Sequence, residues 1–324
     1  MSTIARNTIA FLLAGFVVLS FRTADAQSQF RGIKHITGDL YQVQDDNNTF
    51  TAFLVTPEGI ILTDPINERT AAWLRSELEK RFDLPVKYLI YSHNHDGHSP
   101  GAAIYDEAIV IGQENVVPMF EMWNDLSVRY EEFEGFDGDR ERFESYRAAT
   151  PLKYPDVTFR ERMSIKLGGK RVNLLAMGLG HGEDSLFVHY PDERAVLAVD
   201  TIWVDRLPYS PGPGLVFQPV YMNYYPEYFD ALRRLEALDF DILLVGHGIH
   251  GTGAGAIGNK QDVTEFREYN EALYEKILQA RANGLTREQA MQSIELPAFS
   301  HLGMYDEWLK NNISSMWRYV DERK

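Results

Sequence analysis

Three histidines fall within six residues in the segment Tyr91-Ser92-His93-Asn94-His95-Asp96-Gly97-His98-Ser99, directly after an apolar run. Imidazoles packed this closely repel one another on protonation unless a metal holds them neutral. Two residues apart in extended chain, His93 and His95 point the same way, and a tight turn at Gly97 can bring His98 back to a neighbouring position. Three further groups suit the same purpose. His181 lies in the glycine-rich turn Gly178-Leu179-Gly180-His181-Gly182, Asp200 ends the apolar run Ala195–Val199, and His247 ends the run Ile242–Gly246. Taken singly, Asp200 fits a helix cap and His181 or His247 a turn. Taken with the cluster, they point to a metal centre. The chain has no cysteine, so thiolate ligands and disulfides are excluded. Histidine nitrogen and carboxylate oxygen are the donors of catalytic zinc sites. One or two zinc ions are expected, with manganese or iron as alternatives.

These residues need elements to hold them. Short apolar runs broken by turn residues, Leu40–Val43, Thr51–Val55 and Gly59–Thr63, read as consecutive antiparallel strands. Ala71, Leu74, Leu78 and Phe82 recur at helical spacing over residues 67–82. A strand over Val86–Tyr91 follows and runs into the histidine cluster. A second series appears at Met163–Leu167, Arg171–Ala176, Ser185–Tyr190 and Ala195–Val199. A helix over Pro226–Leu238 and a strand over Ile242–Val245 complete it. Strands followed by a βα unit, twice, suggest a four-layer αββα sandwich of the α/β class, two mixed sheets with helices outside. Residues 119–150 read as an inserted helical hairpin with a solvated acidic face. After Gly258 the periodicity is wholly helical. Asp262 with Glu265, and Thr286 with Gln289, read as capping boxes. Tyr305, Trp308, Leu309, Ile313, Met316 and Val320 form an apolar stripe. This C-terminal helical extension is expected either to cover the sandwich or to form a homodimer face.

Composition narrows the setting. The 324 residues are 44% hydrophobic and 24% charged, as in a globular protein. A net charge of −15 argues against nucleic acid and anionic lipid as partners and says little about small molecules; a small-molecule substrate is the expected partner. Arg6, the apolar run Ile9–Leu19 and the small residues of Ala24-Asp25-Ala26 read as a secretory signal over residues 1–26. The expected organisation is therefore a cleaved signal, a catalytic domain over 27–258 and the extension over 259–324. The mature protein would start near Gln27, without a membrane anchor, in the periplasm or the medium.

The six candidate ligands resemble the metallo-β-lactamase superfamily, whose motif is H-x-H-x-D-H after a strand, then His in a Gly-His turn, then Asp, then His. His93, His95, His98, His181, Asp200 and His247 match in order over roughly residues 33–250. The resemblance implies a first metal on His93, His95 and His181 and a second on His98, Asp200 and His247, with Asp200 bridging. Asp64, in Leu62-Thr63-Asp64-Pro65, matches an Asp that family members often carry close behind the ligands. The implied chemistry is hydrolysis by metal-activated water, acting on an ester, lactone, thioester or amide.

The fifth motif position, normally Asp, is Gly97 here, and Asp96 stands one place early. Either Asp96 takes over that catalytic carboxylate role, or the second metal makes do with His98, Asp200 and His247, or the protein works with one metal or as a catalytically impaired metal-binding protein. The expectation is a tight first metal and a weaker second. β-Lactam hydrolysis is an alternative, although β-lactamases of the superfamily usually carry Cys or Ser where Asp200 stands. After Asp200, the long Pro-, Gly- and aromatic-rich stretch from Ile202 to Gly214 is expected to cover the site. Trp203, Tyr209 and Tyr221 would line a substrate pocket and Arg206 would meet a substrate carboxylate.

Overall fold

A computed structural model describes residues 31–124, 140–149, 151–178, 181–209, 225–248 and 256–322. The signal segment, Tyr221, residues 210–214 of the covering loop and the centre of the 119–150 insertion lie outside the described residues. Strands β1 (Gly32–Thr37), β2 (Leu40–Gln44), β3 (Phe50–Thr56), β4 (Gly59–Thr63), β5 (Val86–Ile90), β6 (Ile109–Gln113) and β7 (Val157–Phe159) form the first sheet in that order. β1 to β4 pair antiparallel, and β4 to β7 pair parallel. The second sheet runs β13-β12-β11-β10-β9-β8. Its members are β8 (Arg162–Leu167), β9 (Lys170–Ala176), β10 (Leu186–Tyr190), β11 (Ala195–Ala198), β12 (Ile242–Val245) and β13 (Ile257–Gly258). Only β11 and β12 pair parallel in it.

Alternation along the strands decides what each face covers. Ile61, Leu197 and Leu244 point into the core between the sheets, with Leu54, Ile90, Leu174 and Val188. Their neighbours Ile60 and Leu62 face outward onto α1 (Glu68–Phe82), through Ala71, Leu74 and Leu78. Val196, Ala198, Leu243 and Val245 face outward on the second sheet. There they meet Tyr228 and Leu232 of α4 (Tyr225–Glu236). A strand buried on both faces has no polar side, which is why these runs read as continuous apolar stretches.

The inserted segment contributes α2 (Val116–Asn124) and α3 (Arg140–Ala149). The extension consists of α5 (Lys260–Ala282), α6 (Arg287–Ser293) and α7 (Tyr305–Glu322). Leu309, Ile313 and Met316 of α7 are buried in the same core as Val263, Phe266 and Leu273 of α5 and the outer face of the second sheet. The extension thus covers the outer face of the second sheet. One cap is corrected. The box at α5 joins Asn259 to Asp262, so Asp262 is the third helical residue and not the cap. The box at α6 is the expected Thr286–Gln289 pair. Among the described residues no helix is long and apolar enough to cross a membrane.

Candidate metal centre

One end of the sandwich gathers the candidate ligands, because strand ends project side chains beyond the sheets. Asp64 follows β4, the segment His93–His98 follows β5, and His181 precedes β10. Asp200 lies just beyond β11, and His247 just beyond β12. Two of these turns are held in left-handed backbone: Asp64 at φ 43° and Asp200 at φ 55°. Aspartate tolerates that region better than most residues, yet strained backbone concentrates at functional sites. Ile66, at φ 66°, is β-branched and so more strained still. Its N–H donates to the His98 carbonyl at 2.9 Å, fastening the strained turn to the histidine loop.

Two groups of donor atoms result. His93, His95, His181 and Asp200 form one, and His98, Asp200 and His247 the other, each with its donor atoms within 4.8 Å of one another. His95 Nδ1 and His181 Nε2 are 3.1 Å apart. From Asp200 Oδ2, His93 Nε2 lies at 3.6 Å, His181 Nε2 at 3.9 Å and His98 Nε2 at 3.1 Å. His247 Nε2 lies 3.2 Å from Asp200 Oδ1. Ligand bonds of about 2.0–2.1 Å put tetrahedral donors about 3.4 Å apart, and these separations bracket that value. His93 Nε2 is buried with no hydrogen-bond partner, a costly state for a polar atom unless an ion takes its lone pair. The donor set therefore fits two divalent metal ions sharing Asp200.

The hydrogen bonds behind the ligands fix which nitrogen faces the site. Ser92 Oγ donates to Asp64 Oδ2 at 2.6 Å, and Ser92 N–H donates to Asp64 Oδ1 at 2.8 Å. With its proton committed, the Ser92 hydroxyl can only accept from His93 Nδ1, 2.9 Å away. That places the His93 proton on Nδ1 and leaves the Nε2 lone pair for a metal. Asp64 Oδ2 also lies 3.4 Å from His98 Nδ1 and favours the same tautomer there. Asp64 thus serves both clusters. Ser92 was not singled out from the sequence, since a serine before a motif carries no signal by itself. Ser92→Ala breaks this relay with no change of charge. Metal affinity at the first cluster is expected to fall about 10–100-fold, and competition against a chromophoric chelator measures it.

Burial, reinforced by neighbouring imidazoles, keeps the first cluster neutral and ready to ligate. It holds His95 well below the usual histidine range and, with His93, lowers His181 to about 3. For His98, burial acts in the same direction, but Asp200 and Asp64 outweigh it and push the imidazole up to about 10. Burial would raise the Asp200 carboxyl, yet His247 and His98 hold it well below its ordinary value. A further carboxylate was not foreseen. Asp184 is 1% exposed, and burial pushes it up to about 7, against the pull of its own and Asn94's backbone N–H.

The remaining candidates are placed as follows. Asp96 is exposed and belongs to neither donor group, so the structure does not bring it into the role of the missing motif carboxylate. A Cβ on Gly97 would meet nothing within 4 Å, and its φ lies outside the left-handed region. No conformational need for glycine exists there. Gly97→Asp is therefore expected to fold as the wild type does and to slow loss of the second metal to chelator by about tenfold. Time-resolved chelation of the two proteins measures that. Trp203 stacks on His247 with ring centroids 5.7 Å apart, and Tyr209 is 44% exposed with its ring against Trp308. Arg206 is buried and turned inward, its Nη2 donating to the His247 carbonyl at 3.0 Å. The guanidinium supports a ligand-bearing turn and does not reach out for a carboxylate. His35, His189 and His301 lie away from the site, on Gly38 O, Asp239 O and Glu265 respectively.

Comparison with known proteins agrees with this geometry. The family model described as the metallo-beta-lactamase superfamily matches residues 45–247. A linear primary-alkylsulfatase of Pseudomonas sp. (strain ATCC 19151) is 22% identical over 283 residues, 78% of this chain and 51% of the relative. The chain thus spans about half the length of this curated relative. Among solved structures, a stereoselective inverting sec-alkylsulfatase from Pseudomonas sp. matches with a TM-score of 0.67 at 15% identity, covering 90% of this chain and 50% of that one. A metallo-beta-lactamase from Pontibacter korlensis matches at 0.54 and 15% identity, covering 74% of this chain and 99% of that one.

Proposed function

We propose, since the chain belongs to the metallo-beta-lactamase superfamily and is a metallo-hydrolase of that fold, that its substrate is the sulfate ester of an aliphatic alcohol. The observation that carries this reading is how far the likeness reaches. A match covering 90% of the chain has to run past residue 258 into the helical extension. The metallo-beta-lactamase match covers 74%. The structural likeness to an alkylsulfatase is therefore one of catalytic domain and extension together, and a sequence likeness to another alkylsulfatase stands beside it.

Metal ions held by these two donor groups would acidify a water toward a pKa of about 7 and neutralise charge on the ester oxygens. Zinc is the leading candidate, with manganese or iron as alternatives. The chain's own part is to hold the groups in place. Asp200 spans both clusters, and its left-handed backbone aims one oxygen at His98 and the other at His247. Asp64 and Ser92 fix the tautomer of His93, and Asp64 that of His98. Burial of His93, His95 and His98 excludes water from one side of the site, which strengthens every electrostatic contact within it. With a net charge of −15, the protein offers an anionic ester nothing favourable at long range. Recognition has to be local. We place the mature protein in the periplasm or the medium, on the strength of the signal-like segment over residues 1–26.

A substrate panel tests the reading. Protein loaded with zinc or manganese is offered a linear alkyl sulfate, an aryl carboxylic ester, a lactone, a thioester and a β-lactam. Release of inorganic sulfate is expected to show the highest kcat/KM. Faster turnover of a carbon ester or β-lactam, with no sulfate released, overturns the substrate. No turnover of any of them by protein with both metals bound favours a non-catalytic metal-binding role.

A further inference from the structure

The segment from Trp203 to Tyr209 lies between the second donor group and the helical extension, and it touches both. On one side Trp203 is nearly parallel to His247, with 14° between the ring planes. Arg206 tightens that contact. Its Cζ sits 4.5 Å from the Trp203 ring centroid while its Nη2 holds the His247 carbonyl. The His247 residue is thus gripped at its ring and its backbone by two side chains that also pack on each other. On the other side the segment is fastened to the extension by main-chain hydrogen bonds. Leu207 N–H donates to Gly303 O at 3.0 Å, and Gly303 N–H donates to Asp205 O at 2.8 Å. Asn312 Nδ2 donates to Pro208 O at 3.0 Å. Trp308 of α7 sets its ring at 81° to Trp203, at 6.4 Å.

We propose that the helical extension is part of the second metal's binding device: it fixes this strap so that Trp203, a positioning residue, holds the His247 imidazole in ligating orientation. An imidazole on a strand-end turn can rotate about χ2, and a flat ring stacked on it removes that freedom. His98 has Asp64 behind it, whereas His247 is steadied by the stack. The weaker, three-ligand cluster then depends on packing that originates in the extension. The inference rests on the two-metal reading of the site and not on the identity of the substrate.

The experiment compares metal content and rate of metal loss to chelator in full-length wild type, Trp203→Leu and Trp203→Phe, each loaded with zinc. Leucine keeps much of the apolar volume but has no ring plane, and phenylalanine restores one. Trp203→Leu is expected to lose its second equivalent about tenfold faster or more, with the first unaffected, and Trp203→Phe to recover most of that. Gly303→Val attacks the same device from the far side. A Cβ there would meet Asp205 O at 3.1 Å and Arg206 Cβ at 3.3 Å, so the strap has to shift, and the second metal is again expected to leave first. Equal retention of both metals in wild type, Trp203→Leu and Gly303→Val overturns the inference while leaving the two-metal reading intact. A wild type that never takes up a second equivalent contradicts both. Should Trp203→Leu fail to fold, Gly303→Val still decides the matter.

Discussion

His93→Ala is expected to bind at least one metal equivalent fewer than the wild type and to lose about 10³-fold or more in kcat/KM, equivalent to about 4 kcal/mol of transition-state stabilisation. The size of the effect follows from where His93 stands. Its ring lies 4.3 Å from His95, 4.7 Å from His98 and 5.0 Å from His181, measured between centroids. It is also the ligand to which the Asp64–Ser92 relay delivers its orientation. Alanine removes the Nε2 donor, strands the Ser92 hydroxyl and leaves Asp200 without one of its neighbours. The fold should survive, because the residue belongs to none of the three apolar cores. Elemental analysis of dialysed protein together with steady-state rates checks the expectation. Unchanged metal content and turnover would remove His93 from the site.

Asp200→Asn is expected to be nearly as damaging, for a different reason. Asp200 is the one residue common to both donor groups among the described residues. Asparagine keeps the shape and, like aspartate, tolerates the left-handed φ, so backbone strain does not confuse the result. What is lost is the negative charge facing His93, His98, His181 and His247. The second metal, with three protein ligands, should be lost and the first weakened, with turnover down about 10²-fold or more. A pH signature accompanies this in metal-free protein. The His98 pKa is raised from 6.5 to about 10, with Asp200 the first of the groups that raise it. The stabilisation from that pairing is fully present below pH 6.5 and is lost as pH rises toward 10. The Tm difference between metal-free wild type and Asp200→Asn should therefore be largest near pH 6 and shrink by pH 10. A difference independent of pH would show that the pairing is not made.

How much of this was legible in the sequence differs from element to element. The ligands were readable because a metal site needs particular donors at strand ends, and imidazole and carboxylate stand out against apolar runs such as Ala195–Val199 and Ile242–Val245. The sandwich was readable because its buried strands are continuous apolar runs and its helices have a 3.6-residue period. β6 and β7 were missed. Ile109–Gln113 lies in no alternating series, and Val157–Phe159 is three largely exposed residues at the sheet edge. Ser92 was invisible because its role depends on Asp64, 28 residues earlier, being folded against it. Arg206 was given an outward role because burial is a tertiary property. That the turn at Gly97 has no conformational need for glycine is visible only in the backbone.

The most direct measurement is the release of inorganic sulfate from a linear alkyl sulfate by full-length protein, before and after metal is stripped with a chelator and then restored. The account predicts release by the loaded protein, a fall to background on stripping, and recovery on adding zinc or manganese. Sulfate release that is indifferent to the chelator, or none in any metal state, would contradict it.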